Sequence, residues 1–107
     1  MEITQIAPDY WVSPQLSVTD VALAKDQGYS AIVCNRPDGE EAGQPTAAEI
    51  RAACDQAGLS FAYLPMQGPN YTPEMVQELK DLLAGEEKVL GYCRTGNRSG
   101  VLYRAAQ

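Results

Sequence analysis

From Val18 onward, strand-length apolar runs alternate with capped segments of helical periodicity, and this alternation restricts the fold more than any other feature of the chain. The run Tyr29 to Cys34, YSAIVC, is almost continuously apolar, as expected of a strand covered on both faces. Ahead of it, Ser17 or Thr19 caps a helix carrying Val18, Val21, Ala22 and Leu23 as far as Asp26, with Gly28 as its stop. Behind it, Thr46 and Glu49 form a capping-box pattern, and Ala47, Ile50, Ala53, Cys54 and Ala57 share one helical stripe that Gly58 ends. Ser60 to Met66 is the next strand. Thr72 and Pro73 then open a helix whose Met75, Val76, Leu79, Leu82 and Leu83 keep helical spacing up to Gly85. Lys88 to Tyr92 is a last strand, the loop Cys93 to Arg98 follows, and a helix is predicted from Ser99. At the other end, Ile3 to Ala7 and Tyr10 to Ser13 are two short strands about the Pro8-Asp9 turn, placed at a sheet edge. Such an order gives an α/β fold: a mostly parallel sheet, right-handed crossovers and helices on both faces.

A length of 107 residues fits one domain, 1–107. Its last helix is short for packing against a sheet, so the expectation is a truncated helix or one finished by a partner. Eight basic against 14 acidic residues give a net charge of −6, which opposes binding to nucleic acid or to an anionic membrane surface. The start, MEITQIAPDYW, has neither the apolar core of a signal peptide nor the length of a membrane anchor, and a cytoplasmic location is expected. Cys34, Cys54 and Cys93 are too few and too widely spaced for a disulfide framework. With no histidine in the chain, neither a metal site nor an imidazole base is expected, and no cofactor is implied. Cys54 on its helical stripe reads as a small buried hydrophobe, and Trp11 as packing.

The chemistry concentrates in KVLGYCRTGNRSGVLYR, Lys88 to Arg104. A strand that ends in a cysteine and a glycine-bearing turn, then enters a helix, aims several backbone N–H groups at one point, which suits a tetrahedral anion. The helix end and Arg98 favour the Cys93 thiolate, making it a candidate nucleophile. Arg98 can clamp two oxygens of sulfate, thiosulfate or phosphate. Arg94, Thr95, Gly96 and Asn97 complete the anion-binding loop, with Gly96 where positive φ or close backbone approach is needed and Arg94 turned outward to attract anions. In a parallel sheet the loops after Cys34, Met66 and Tyr92 gather at one crevice. The first of these, NRPDGEEAGQP, supplies Arg36, Asp38, Glu40 and Glu41 as a candidate acid or substrate loop; the same acids also suit a solvated surface. Cys34, at the end of its strand, is a candidate redox partner of Cys93 if the two come within reach, and otherwise a core residue.

The segments ITQIAPDYWVSPQL, NRPDGEEAGQP and YCRTGNRS resemble the phosphatase-like domain of the beta-lactamase-hydrolase-like proteins, a bacterial branch of the cysteine-phosphatase fold, over nearly the whole chain. The resemblance implies a three-layer sandwich in which Cys93 is the nucleophile, Arg98 the anion clamp and Ser99 the hydroxyl that steadies the thiolate. Three features depart from that pattern. Four residues rather than five separate Cys93 from Arg98, Tyr92 stands where a histidine commonly precedes the cysteine, and Gln67, Gly68, Pro69 and Asn70 occupy the loop that commonly brings an acid. The shortened loop is also similar to the active loop of rhodanese-type sulfurtransferases. Sulfite leaves without a proton donor, which matches the missing acid. The expectation drawn here is therefore sulfur transfer, with a persulfide carried on Cys93, thiosulfate or a small persulfide as donor, and a fused or interacting sulfur-metabolism protein as partner. Phosphomonoester hydrolysis through a phosphocysteine, with Asp38, Glu40 or Glu41 as displaced acid, is the alternative, and an anion-sensing or partner-binding module without turnover is the third.

Overall fold

The computed structural model describes residues 1–107 and contains five strands and four helices in the expected alternation. The strands are β1 (Thr4–Ala7), β2 (Tyr10–Ser13), β3 (Ala31–Cys34), β4 (Ser60–Tyr63) and β5 (Val89–Tyr92). The helices are α1 (Val18–Asp26), α2 (Ala47–Ala57), α3 (Pro73–Gly85) and α4 (Asn97–Ala105). They form one sheet in the order β1-β2-β5-β3-β4, antiparallel only between β1 and β2. The mostly parallel sheet carries helices on both faces and is the cysteine-phosphatase-like three-layer sandwich.

Alternation along the strands assigns each side chain to a layer. Ile32 and Cys34 of β3 join Leu90 and Tyr92 of β5 in the core under α1 and α2, where Val21, Ala24, Ile50 and Cys54 close it. Ala31, Val33 and Val89 face the other way, against Leu79 of α3 and Leu102 and Tyr103 of α4. Strands β3 and β5, paired on both sides, are buried at every position, which is why their sequences are apolar without interruption. Of the first two strands only β1 is an edge; β2 continues inward to pair with β5. On the second face, a Cβ added to Gly91 would lie 2.5 Å from the Tyr10 hydroxyl oxygen, so the glycine leaves room for the Tyr10 ring, which stacks on Tyr103 at 4.5 Å between centroids. Trp11 packs edge-on against Tyr29, with the Lys88 ammonium over both rings.

Local signals set the helix boundaries. Ser17 and Asp20 form a reciprocal capping box at α1, Thr46 and Glu49 another at α2, and the Thr72 hydroxyl caps α3 ahead of Pro73. Helix α3 is held to the sheet by Leu79, its one fully buried residue, and truncating a side chain so placed costs about 2–5 kcal/mol. Helix α4 starts at Asn97 rather than at Ser99. Though only nine residues long, it buries Ser99, Gly100, Leu102 and Tyr103. No helix is long and apolar enough to cross a membrane.

Candidate active site

Strand β5 delivers Cys93 to the carboxyl edge of the sheet, where its N–H donates to the Ser13 carbonyl at 3.3 Å and ties the loop to β2. Gly96 then turns the chain into α4 with φ of +95°, and the Ser13 backbone lies 3.5 Å from where a Cβ would stand. A left-handed conformation against a neighbouring strand is why glycine is required there. Gly96 is also the N-cap, and no side chain caps the helix. The Asn97 N–H donates to the Thr95 hydroxyl oxygen at 3.3 Å, and those of Arg98 and Ser99 are left to serve the sulfur.

The Gly96 N–H donates to Cys93 Sγ at 3.0 Å. Burial of Cys93 would by itself push its thiol up, but the N–H groups of Ser99, Thr95, Gly96 and Arg98 together outweigh burial and hold it below the ordinary thiol value. The thiolate is thus favoured without an imidazole. The contribution of Ser99 comes through its backbone; its buried hydroxyl makes no hydrogen bond. Cys34 and Cys54 behave in the opposite way. Burial raises both thiols, that of Cys54 to about 12, and all three cysteines are free. Cys34 belongs to the core under α1 and α2, and its Sγ donates to the Arg36 carbonyl at 3.3 Å.

Arg98 donates three hydrogen bonds from its guanidinium. Its Nη1 donates to Glu40 Oε2 and to the Met66 carbonyl, both at 2.8 Å, and its Nη2 donates to Glu40 Oε1 at 2.8 Å. Of the five guanidinium hydrogens, three are thereby engaged. The two that remain, on Nε and Nη2, lie along one edge and form a fork for two oxygens of an anion. Glu40 is itself held by Arg36, whose Nε donates at 2.9 Å, and the buried Arg36 reaches Gln15 Oε1 at 3.2 Å through Nη1. Hydrogen bonds from Arg98, with further help from Arg36, outweigh its partial desolvation and bring the Glu40 carboxyl down to about 2.

The three loops after β3, β4 and β5 do meet. A cavity of about 590 Å³ is lined by Glu40 from the first, Gly68 and Pro69 from the second, and Arg94, Thr95, Asn97 and Arg98 from the third. Of the other acids expected in the first loop, neither enters it. Asp38 turns back to accept the Ala47 N–H at 2.8 Å and so caps α2, and Glu41 is exposed, 3.6 Å from Arg36 Nη2. Glu40, ionised between two arginines, is a poor proton donor. Its ion pair with Arg98 joins residues 58 apart, and neither periodicity nor capping pattern could signal it. Gln15 and the Met66 carbonyl, which complete the network, were likewise beyond local sequence signals.

Comparison with known proteins bears on what this site does. The family model for the phosphatase-like domain of the beta-lactamase hydrolase-like protein matches residues 2–107. A beta-lactamase hydrolase-like protein of Agrobacterium fabrum is 30% identical over 104 residues, 96% of this chain and 24% of that protein. One of Xylella fastidiosa is 32% identical over 108 residues, the whole of this chain and 25% of that protein. The chain thus spans about a quarter of the length of these curated relatives. Among solved structures, a candidate phosphatase of Neisseria meningitidis is 35% identical with a TM-score of 0.79, over 92% of this chain and 71% of that one. A candidate phosphatase of Shewanella putrefaciens superposes with the same TM-score at 21% identity, over 98% of this chain and 66% of that one, and shares the fold.

These findings overturn the expectation of sulfur transfer. The family model is that of a phosphatase-like domain and the similar solved structures are candidate phosphatases, not sulfurtransferases. The sulfurtransferase assignment, the persulfide on Cys93 and thiosulfate as donor fall together. Their physical basis was the count of four residues between Cys93 and Arg98, together with the lack of an acid in the loop that commonly brings one. That count fixes the size of the ring, but the surrounding fold decides which chemistry the ring serves.

Proposed function

The chain belongs to the phosphatase-like domain family of the beta-lactamase hydrolase-like proteins, and on that footing we propose that it hydrolyses phosphate monoesters through a phosphocysteine at Cys93. The observation that carries this reading is the set of backbone N–H groups directed at a buried sulfur whose thiol is lowered against its own burial. Donors so arranged suit the three non-bridging oxygens of a phosphoryl group in flight. The reading treats 1–107 as one such domain acting on a small anionic phosphate ester.

In the mechanism, the Cys93 thiolate attacks phosphorus in line with the ester oxygen. The loop amides from Arg94 to Ser99 and the free Nε/Nη2 edge of Arg98 hold the equatorial oxygens, while Glu40 and Arg36 keep that edge turned toward the sulfur. The S–P bond forms and the P–O bond to the leaving group breaks. Water then attacks phosphocysteine, releasing inorganic phosphate and restoring the thiolate. Arg98 and Cys93 are the catalytic residues of this scheme, and Glu40 and Arg36 are positioning residues.

The test is turnover of p-nitrophenyl phosphate by wild type, Cys93→Ser and Arg98→Ala, with intact-mass analysis of acid-quenched enzyme. Wild type should release phosphate and carry one phosphoryl group on Cys93 during turnover, and both variants should be inactive. Turnover by Cys93→Ser equal to wild type, or no phosphate release by wild type, would sink the proposal.

A further inference from the structure

The cavity mouth combines two features that together narrow the substrate class. The first concerns protons. Glu40 is the one carboxylate lining the cavity, and the two arginines about it keep it ionised, so no lining group can protonate a departing alkoxide. The second concerns charge. Arg94 lines the same cavity as Arg98, is exposed, and forms no salt bridge, whereas Arg98 is bound to Glu40 and Arg36 to Glu40 and Glu41. In a chain of net charge −6, an unpaired cation at the active mouth is a place for a second anion. The remaining lining residues, Gly68, Pro69, Thr95 and Asn97, offer no aromatic wall to a phenyl ring.

We propose that the preferred substrates are phosphoanhydrides, in which the leaving group is itself a phosphate, and that Arg94 selects them by holding that second phosphate. The inference rests on the phosphocysteine reading and extends it. The Cys93 thiolate attacks the terminal phosphorus, the S–P bond forms, and the bridging P–O bond breaks with its electron pair remaining on the oxygen of the departing phosphate. That oxyanion is stabilised by its own resonance and by Arg94, so no proton is required at this step. Water then cleaves the S–P bond, and both of its protons leave on the inorganic phosphate while sulfur returns as thiolate. An alkyl phosphate, whose alkoxide leaves only when protonated, is a poor substrate for the same reason.

Three substrates separate the possibilities: p-nitrophenyl phosphate, inorganic pyrophosphate and glycerol 2-phosphate, each with wild type, Arg94→Ala and Arg94→Lys. Wild type should turn over the first two and leave the third nearly untouched. The ratio of kcat/KM for pyrophosphate over p-nitrophenyl phosphate should fall about 10- to 100-fold in Arg94→Ala, as for loss of one charge-assisted hydrogen bond, and recover largely in Arg94→Lys. An unchanged ratio in Arg94→Ala overturns the role of Arg94. Turnover of p-nitrophenyl phosphate without pyrophosphate, or efficient turnover of glycerol 2-phosphate, overturns the substrate class while the phosphatase reading stands. Failure on all three removes both together.

Discussion

Replacing Glu40 with Gln keeps the size of the side chain and one acceptor oxygen while removing the charge that Arg98 and Arg36 share. The carboxylate accepts three charge-assisted hydrogen bonds, two from Arg98 at 2.8 Å and one from Arg36 at 2.9 Å. Gln would turn an NH₂ donor toward a guanidinium that has only donors to offer, so the two-pronged contact is lost. Glu40 is 29% exposed in its side chain but Arg36 only 3%. The expected destabilisation therefore lies above the roughly 0.2–1 kcal/mol of a surface pair and below the 3–5 kcal/mol of a fully buried one, at about 1–2 kcal/mol in urea unfolding. The catalytic effect should be larger, because Arg98 loses what orients its Nε/Nη2 edge. Misplacement of this kind lowers kcat by on the order of 10- to 100-fold. Steady-state assays on p-nitrophenyl phosphate and on unsubstituted phenyl phosphate should show the same fold loss, since an ionised Glu40 contributes no proton to either. A larger loss on the poorer leaving group would identify Glu40 as the proton donor. A rise in kcat/KM would show that it competes with substrate for the clamp. Either result refutes the positioning role.

Other substitutions and a titration test neighbouring parts of the site. Alkylation by iodoacetamide follows thiolate, so Cys93 should react with a midpoint below the ordinary thiol range of about 8.5, and turnover should fall as pH drops through that same value. Cys34 and Cys54, whose thiols burial raises, should remain unmodified in the folded protein; preferential labelling of either would contradict the site. Gly91→Ala places a Cβ 2.5 Å from the Tyr10 hydroxyl and about 3.0 Å from its ring, and should destabilise by about 1–3 kcal/mol in thermal or urea unfolding. A neutral result would mean that Tyr10 can move aside without cost. Asp38→Ala removes the acceptor for the Ala47 N–H and should cost about 0.5–2 kcal/mol of stability with turnover intact. A large loss of turnover would return Asp38 to the list of proton donors.

What could be read from sequence was local. The caps at Ser17, Thr46 and Thr72 act within three or four residues, and each produced a helix where its pattern lay. The uninterrupted apolar run of β3 reported burial on both faces, and Gly96 reported its positive φ. Helix α4 began two residues early because its start is an uncapped glycine turn, and the N–H groups that a side-chain cap would have satisfied face the sulfur instead. The acids of the first loop were visible as a cluster but not as three separate roles. A helix cap for Asp38, an arginine brace for Glu40 and exposure for Glu41 are decided by what lies across the crevice. The short loop misled because four intervening residues are compatible with two chemistries, and only the whole sheet distinguishes them.

The brace around Arg98 also ties the active site to the folding of the entire chain. Gln15, Arg36, Glu40, the Met66 carbonyl and Arg98 come from segments spread across most of the sequence, and the cysteine loop is fastened to Ser13 besides. No partly folded species that lacks the first hairpin, or the strand after α2, has the clamp assembled. Contacts of such separation form late, since each must close a long loop before it returns any energy. Recovery of the proposed phosphatase activity during refolding should accordingly lag behind recovery of helical signal, so that turnover would report the last folding step.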